Sequence, residues 1–445
     1  MLRESHKIKL NLAALLAAIC APLLLLVACS PEPVPSNVPA QTPEPAHDAE
    51  TATPVATPDT PATEEPEPLP EPPAMKNDPP AEGPAPAVDN FDTWWQDFKT
   101  PLHLDTSPYP AFYRGAWASR LDEARSYLLN AYRLRESGVD TILLGVDVVF
   151  DRDTGDAVTP GEEVFIFYLQ AFRKAGFRVI LIPNPMHPTL DMGEGYEWDE
   201  PNPDVRYHRG YKLITKLDSV VLKWAGIAET YHADGIAPSN EPYKLVRDYH
   251  DASRWLQEIL PGIRELYSGK ILAIDTMYSE GQGPGLSVPY PYDYSGYDLI
   301  LGGPPSGRKN IEDWEDMLQG YLQAGNDYVA SCNATGFGLY EWGGYTGGVW
   351  FEPIPEDQLL NPEQAAQITE STVRQATGTT IASFPRVSTG WLDFDTPAFR
   401  VLSDWYRDIG GTVEPPDGKM WTCEELIDIE NRLGGDEYEH IFQIE

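Results

Sequence analysis

Two glutamates stand where short apolar runs of the sequence end. Glu241 belongs to Asp234-Gly235-Ile236-Ala237-Pro238-Ser239-Asn240-Glu241-Pro242, and Glu341 to Phe337-Gly338-Leu339-Tyr340-Glu341-Trp342-Gly343-Gly344. A carboxyl pair can cleave a glycosidic bond by double displacement, in which one group protonates the leaving oxygen and the other attacks the anomeric carbon. Their environments must then differ, because the acid needs a raised pKa while the nucleophile must stay ionised. The two motifs supply residues of the required type.

The Asn240-Glu241-Pro242 motif also fits the start of a helix. Asparagine is a favoured N-cap, and proline is favoured in the first helical turn. This interpretation involves no chemistry, and the motif alone does not exclude it. The second glutamate, at the end of another predicted strand, favours the catalytic interpretation.

Beyond residue 88 the sequence alternates between short runs rich in Val, Ile and Leu and longer segments of helical period. Such alternation is typical of parallel strands joined by crossover helices. The predicted strands are 111–117, 141–150, 178–183, 234–238, 270–277, 299–302, 336–340 and 379–384. Helices are predicted between them, except that the Gly-, Pro- and Tyr-rich segment 278–297 is expected to form a loop.

Eight such strands most economically close into an α/β fold of the (β/α)8 TIM barrel type, with functional groups at the carboxyl ends of the strands. The fourth and seventh strands then lie across the barrel from each other, so Glu241 and Glu341 can face one another. A doubly wound open sheet is the alternative. No GxGxxG motif follows the first strand, so the dinucleotide-binding version of that fold lacks its phosphate loop.

The motifs around Asn240-Glu241-Pro242 and Glu341-Trp342-Gly343 resemble the acid/base and nucleophile signatures of clan A glycoside hydrolases, which are (β/α)8 barrels. The resemblance spans nearly the whole barrel and is nearest to endo-β-glycanase families 5, 53 and 113; residues 399–406 resemble the final helix found there. It implies a retaining glycoside hydrolase with Glu241 as general acid/base and Glu341 as nucleophile. It also implies that Asn240 donates to the sugar 2-hydroxyl.

Three further residues are predicted to bind substrate. His187, after the third strand, is expected to hydrogen-bond a sugar hydroxyl; a loop histidine without function is the alternative. Trp391, after the eighth strand, is expected to offer a platform for the apolar face of a pyranose, and Trp342 to line a further subsite. Packing in the core is the alternative for both tryptophans.

Two features depart from the family pattern. The sixth strand ends in Ile300-Leu301-Gly302-Gly303 without the aromatic residue or histidine that commonly holds the nucleophile, and Tyr278 or Tyr292 is considered as a substitute. The early strands offer no clear match for the cleft arginine, and Arg114 is the candidate. These departures leave a non-catalytic surface glycan-binding lipoprotein on a degenerate barrel as the alternative function. A barrel hydrolase of another chemistry is a third.

The N-terminus is expected to be a lipoprotein signal peptide. Basic residues precede an uncharged apolar run from Leu12 to Val27, and Leu26-Val27-Ala28-Cys29 forms a lipobox. The run is too short to span a bilayer comfortably. Cys29 would therefore carry the lipid, and the mature protein would be exported and anchored to the cell membrane or outer membrane, facing the surface or periplasm. An ordinary signal peptide, with Cys29 incidental, is the alternative.

Four regions follow from these patterns: a lipoprotein signal peptide at 1–28, the lipidated cysteine with a disordered linker rich in Pro, Glu, Ala and Thr at 29–88, a glycoside hydrolase-like barrel at 89–413, and a C-terminal extension at 414–445. A formal net charge of −37 with no cluster of Lys and Arg excludes nucleic acid as a partner. The expected partners are a polysaccharide or oligosaccharide substrate and, through the lipid anchor only, a membrane. We expect a monomer.

No cofactor and no metal site is expected. The sequence has no HExxH, Walker loop or GxSxG motif, and the acidic stretch 151–156 lacks the bidentate glutamate of a calcium loop, which favours a turn. Cys332 and Cys423 remain after processing at Cys29, and one disulfide between them is possible.

Overall fold

A computed structural model gives the structure of the chain. It describes residues 90–102, 113–150, 156–185, 212–246, 249–276, 292–301, 311–332, 336–344, 360–375, 381–382, 396–410 and 419–434. The predicted signal peptide, Cys29 and the linker lie outside these residues.

The described strands form one curled, parallel sheet in an α/β fold. They are β1 (Tyr113–Ala118), β2 (Thr141–Phe150), β3 (Ala157–Val158), β4 (Arg178–Pro185), β5 (Gly235–Ile236), β6 (Lys270–Thr276), β7 (Tyr294–Leu301), β8 (Gly336–Gly344) and β9 (Ile381–Ala382). Their order is β1-β9-β8-β7-β6-β5-β4-β2-β3, and β1 also pairs with β2. Only β3 pairs antiparallel, against the end of β2. The remaining strands therefore close into a TIM-barrel-like ring.

Helices follow most of the strands, as parallel pairing requires. They are α1 (Phe91–Phe98), α2 (Leu121–Leu129), α3 (Ala131–Glu136), α4 (Glu162–Lys174), α5 (Asp218–Thr230), α6 (Pro242–Val246), α7 (Tyr249–Leu266), α8 (Ile311–Cys332), α9 (Pro362–Gln375), α10 (Pro397–Gly410) and α11 (Cys423–Arg432). In the part of the chain that the structure describes, no helix combines the length and hydropathy of a membrane span.

Two apolar cores lie on the two faces of the sheet. Inside the ring is a small cluster that includes Trp117, Leu143, Ile180 and Leu272. Outside it, alternate residues of the same strands pack against the helices in a much larger cluster. β2 shows why the run Thr-Ile-Leu-Leu-Gly-Val-Asp-Val-Val-Phe forms such a strand: it is buried on both faces, so an almost continuous apolar sequence is stable there.

Aspartates fasten the amino-terminal ends of the strands to one another. Asp140, before β2, accepts from the backbone N–H of Arg114 in β1 at 3.0 Å. Asp234, before β5, accepts from Val179 N–H in β4 at 3.0 Å, and Asp293, before β7, from Ile271 N–H in β6 at 2.9 Å. Each carboxylate also pairs with a basic side chain. The same contact, from an aspartate before one strand to a backbone N–H of the preceding strand, thus recurs at alternate strands of the ring.

The first and the last of the described helices, α1 and α11, pack against the helices of the barrel. Phe98 of α1 and Trp421, just before α11, both contact Phe167 of α4, at ring-centroid distances of 5.2 and 5.4 Å. Glu430 of α11 is 3% exposed and accepts from Arg125 of α2 at 2.5–3.0 Å. Residues of the predicted C-terminal extension therefore belong to the main apolar core.

Every predicted strand overlaps a strand of the structure, but the sixth begins earlier. β7 starts at Tyr294, inside the segment predicted to be a loop, because Tyr-Ser-Gly-Tyr-Asp pairs with both β6 and β8 although it is not an apolar run. Between the fourth and fifth strands of the ring, where one helix is predicted, the described residues are helical in α6 and α7. The possible disulfide is not formed, because Cys423 is a free and exposed thiol.

Candidate active site

Glu241 lies at the carboxyl end of the fourth strand of the ring, five residues after β5. Its backbone has φ +45°, a left-handed conformation that residues other than glycine rarely adopt. The residue is nevertheless only 7% exposed. A buried carboxyl held in a strained backbone costs about 1–3 kcal/mol, and such outliers cluster at functional sites.

Asn240 is held by its neighbours across the strand ends. Its backbone N–H donates to Pro183 O at 2.9 Å, and its side-chain Nδ2 donates to Asn184 Oδ1 at 3.5 Å. α6 begins two residues later, at Pro242. The residue directly before this helix is therefore Glu241, and the described side-chain contact of Asn240 runs to Asn184 rather than to the helix.

Asn184, near the end of β4, connects Asn240 to the first strand. Its Nδ2 donates to Ser119 O at 3.1 Å, one residue beyond β1. Gly145 of β2 lies between the two strands, and a Cβ there would stand 2.7 Å from Ser119 O. Glycine is therefore required at 145 for the chain to cross above β2 and meet Asn184.

Asp147 is a second polar residue of this rim that sequence reasoning missed. It lies in β2, in register with Asn184 of β4, and is fully buried. The signal was available: Asp147 is the only ionisable residue in the apolar run 141–150. Buried carboxylates are rare away from functional or paired positions.

Glu341 lies within β8, the seventh strand of the ring, and its backbone alone is described. The register between β7 and β8 shifts there: Tyr297 pairs with Leu339, whereas the next residue, Asp298, pairs with Glu341. Tyr340 is skipped, so the alternation of faces along β8 changes phase. Glu341 is thereby in register with Asp298 of β7. Counting residues along β8 from Leu339 without the shift would pair Asp298 with Tyr340 instead.

Arg114 does not serve as the cleft arginine. It is the second residue of β1, at the amino-terminal end, opposite the strand ends that carry Glu241. Its Nε donates to Asp140 Oδ2 at 3.0 Å, and Nη1 donates to Tyr406 O of α10 at 3.2 Å. The predicted binding role is wrong because this guanidinium joins β1, β2 and the last barrel helix.

The remaining predicted residues are placed less completely. His187, Tyr278 and Trp391 lie outside the described residues, and Trp342 is described only as a position in β8. Tyr292, the other tyrosine considered for the sixth strand, is 1% exposed, and its hydroxyl donates to Leu256 O of α7 at 2.7 Å. Tyr292 is thereby committed to the helix layer outside the ring.

The described residues contain no group of three or more His, Cys, Asp or Glu side chains that could hold a metal ion. What the strand ends assemble is a set of carboxyl and amide groups: Asp147, Asn184, Asn240 and Glu241 from the second to the fourth strand of the ring, with Glu341 in the seventh. Such groups can donate hydrogen bonds to hydroxyl-rich ligands and accept hydrogen bonds from them.

Comparison with solved structures finds distant likeness to glycoside hydrolases. The GH113 β-mannanase AaManA from Alicyclobacillus acidocaldarius has a TM-score of 0.46 and 13% identity, covering 67% of this chain and 98% of that one. The endoglucanase Cel5A of Pseudomonas stutzeri has 0.43 and 13%, covering 67% and 97%. A family 1 β-glucosidase from Thermotoga maritima has 0.42 and 11%, covering 66% and 88%. No protein-family model and no curated protein matches the sequence. At TM-scores below 0.5 and identities of 13% or less, these are distant likenesses in fold.

Proposed function

We propose that this protein is a retaining glycoside hydrolase, an endo-β-glycanase of the (β/α)8 type that acts on extracellular polysaccharide. The observation that carries the proposal is Glu241: a buried carboxyl with φ +45° at the end of the fourth strand of a closed parallel ring. Active sites of such rings lie at this end of the strands. Glu341, in the seventh strand, supplies the second carboxyl.

The reaction would proceed in two steps. Glu341 attacks the anomeric carbon while Glu241 gives its proton to the leaving oxygen, which forms a covalent glycosyl-enzyme. Glu241, now ionised, removes a proton from water, and that water displaces Glu341 from the sugar. Two inversions leave the configuration of the anomeric carbon unchanged. Asn240, adjacent to Glu241 and partly buried, would bind the hydroxyl next to the reacting carbon.

The test compares Glu241→Gln and Glu341→Gln with Glu265→Gln, which changes an exposed glutamate of α7. On polysaccharides, both site variants should lose at least about a hundredfold in kcat, while the control keeps full activity. On aryl glycosides whose leaving group needs no proton, glycosylation should recover in Glu241→Gln only. Full activity of Glu341→Gln in a correctly folded protein would overturn the assignment.

A second candidate function rests on the sixth strand. The register partner of Glu341 is Asp298, where neither a histidine nor an aromatic residue stands. This observation favours a non-catalytic surface glycan-binding lipoprotein on a degenerate barrel. Binding of a polysaccharide by the wild type, without release of reducing ends over a broad glycan panel, would support that candidate against the hydrolase.

We also propose that Cys29 is lipidated and that residues 29–88 tether the barrel to a membrane surface outside the cytoplasm. The lipobox and the proline-rich, acidic composition of the linker support this location. Growth with a radiolabelled fatty acid should label the wild type and leave Cys29→Ser unlabelled, and the variant should appear in the soluble fraction. A labelled Cys29→Ser protein would contradict the proposal.

A further inference from the structure

We infer that Asn184 is a positioning residue that fixes the side-chain amide of Asn240 beside Glu241, an inference that rests on the proposed function of this site. Asn184 donates to Ser119 O at 3.1 Å and accepts from Asn240 Nδ2 at 3.5 Å. The amide of Asn184 thus joins the end of the first strand to the residue that precedes the acid/base glutamate.

The orientation of both amides follows from one acceptor. Ser119 O is a backbone carbonyl and can only accept, so the NH2 group of Asn184 must face it. The oxygen of Asn184 then faces Asn240, which must present its own NH2 group. The hydrogen bonds from Asn184 to Ser119 O and from Asn240 to Asn184 form a relay. The other polar groups of the Asn240 amide, Oδ1 and the second N–H, take no part in it, but the relay fixes the direction in which they point.

The backbone around Asn184 is unusually stiff for the end of a strand. Pro183 and Pro185 flank it. The pyrrolidine group of each proline fixes its own φ near −65° and restricts the conformation of the residue before it. Pro183 O also accepts the backbone N–H of Asn240 at 2.9 Å. Two contacts between neighbouring strands, one from the backbone and one from the side chains, therefore set the position of Asn240.

Asn184 and Asn240 are both only partly buried, in contrast to Asp147, which is fully buried in register with Asn184. The amide pair is thus more accessible to a ligand than Asp147. A sugar hydroxyl bound to Asn240 would meet an amide whose donor and acceptor are already directed, which lowers the ordering cost of binding.

A double-mutant cycle tests the inference in the full chain. Asn184→Ala should lower kcat/KM about tenfold when Asn240 is present and less than twofold in the Asn240→Ala background, because the relay then has no target. Asn130→Ala is the matched control: Asn130 Nδ2 also donates to a backbone carbonyl, Ser126 O at 2.8 Å, but at the junction of α2 and α3. It should leave kcat/KM unchanged. Equal losses in both backgrounds would overturn the inference.

A second readout does not need activity and so separates this inference from the proposed function. With selective 15N-asparagine labelling, the side-chain NH2 signals of Asn240 are assigned by their loss in Asn240→Ala. They should shift and exchange faster in Asn184→Ala and stay unchanged in Asn130→Ala. Unchanged signals in Asn184→Ala would overturn the positioning role, even if the wild type cleaves no glycan.

Discussion

Asp140 accepts two hydrogen bonds from Arg114, one from the backbone N–H and one from the guanidinium Nε, both 3.0 Å long. The carboxylate thus fixes both the register of β1 against β2 and the direction of the arginine side chain, which reaches Tyr406 O of α10. Asp234 and Asp293 repeat the backbone contact at two further places in the ring. Charged residues at the amino-terminal ends of the strands therefore stabilise the fold, while the opposite ends carry the candidate site.

Arg114→Met should lower the free energy of unfolding by about 3 kcal/mol, because it removes one partner of a largely buried ion pair. The KM for any glycan substrate should not change, since the guanidinium lies away from the candidate site. Arg120→Met is the control, because the Arg120–Asp122 pair is exposed and worth less than about 1 kcal/mol. Denaturant titration measures both variants. If stability were unchanged and KM raised, Arg114 would bind substrate, as predicted from the sequence, rather than stabilise the fold.

Asp293→Asn should destabilise the protein at neutral pH but not in acid. Burial alone raises the pKa of Asp293, but hydrogen bonds from Arg264, Ile271 N–H and Lys270 outweigh it and lower the pKa below its ordinary value. Because the pKa of Asp293 is lower in the folded than in the unfolded state, its ionised form stabilises the folded protein. This contribution to the free energy of unfolding is lost as the pH falls through the folded pKa. The difference between wild type and variant should thus shrink below about pH 4.

The pH series needs a matched aspartate. Asp404→Asn removes a carboxylate whose side chain is 69% exposed and pairs only with its helix neighbour Arg407 among the described residues. Its effect should stay within about 0.5 kcal/mol at every pH. A constant difference between wild type and Asp293→Asn from pH 3 to 7 would contradict the role of the ionised carboxylate.

The sequence predicted the ring and the position of Glu241 because both follow from local patterns. Alternating apolar runs and helical segments predict parallel strands, and Asn240-Glu241-Pro242 stands directly after one of them. The contact between Asn184 and Ser119 was not predictable in this way, because it joins residues 65 positions apart through a side-chain amide. The register shift at Tyr297/Asp298 depends on pairing between two strands, which no single run of residues encodes.

Arg114 shows the opposite error, in which a residue type suggested a role that its position forbids. The sequence places it in the first strand but does not reveal which end of the strand it occupies. β1 begins at Tyr113, one residue before Arg114, so its side chain belongs to the amino-terminal end of the ring. The position of Arg114 along the strand, rather than its residue type, decides between a binding role and a structural role.

Glu430→Ala should loosen α11 from the barrel and lower the free energy of unfolding by about 3 kcal/mol. Glu430 is 3% exposed and accepts from Arg125, and the Tyr168 hydroxyl also donates to it. Removing it leaves the guanidinium of Arg125 and a buried phenol without their acceptor. Burial and the neighbouring Glu430 hold the pKa of Tyr168 well above its ordinary value, so this phenol stays a donor at neutral pH.

The control for α11 is Glu424→Ala, which changes an exposed glutamate of the same helix. It should cost less than about 0.5 kcal/mol. Limited proteolysis measures the loosening directly: cleavage after Arg432 or Lys419 should accelerate in Glu430→Ala only. Equal proteolysis of the two variants would show that the apolar contacts of Leu426 and Ile429 hold the helix without the ion pair.

Glu241→Gly should separate stability from activity. Glycine adopts φ +45° without strain, so the variant should gain about 1 kcal/mol in free energy of unfolding while hydrolysis falls by at least about a hundredfold. His232, φ +56°, is the control: it follows α5 in a Schellman motif, with Ala233 N–H donating to Ala228 O and His232 N–H to Glu229 O. His232→Gly should gain similar stability and keep full activity. A Glu241→Gly protein that loses stability would show that the glutamate's contacts outweigh its strain, and the strained backbone would then give no support for a catalytic role.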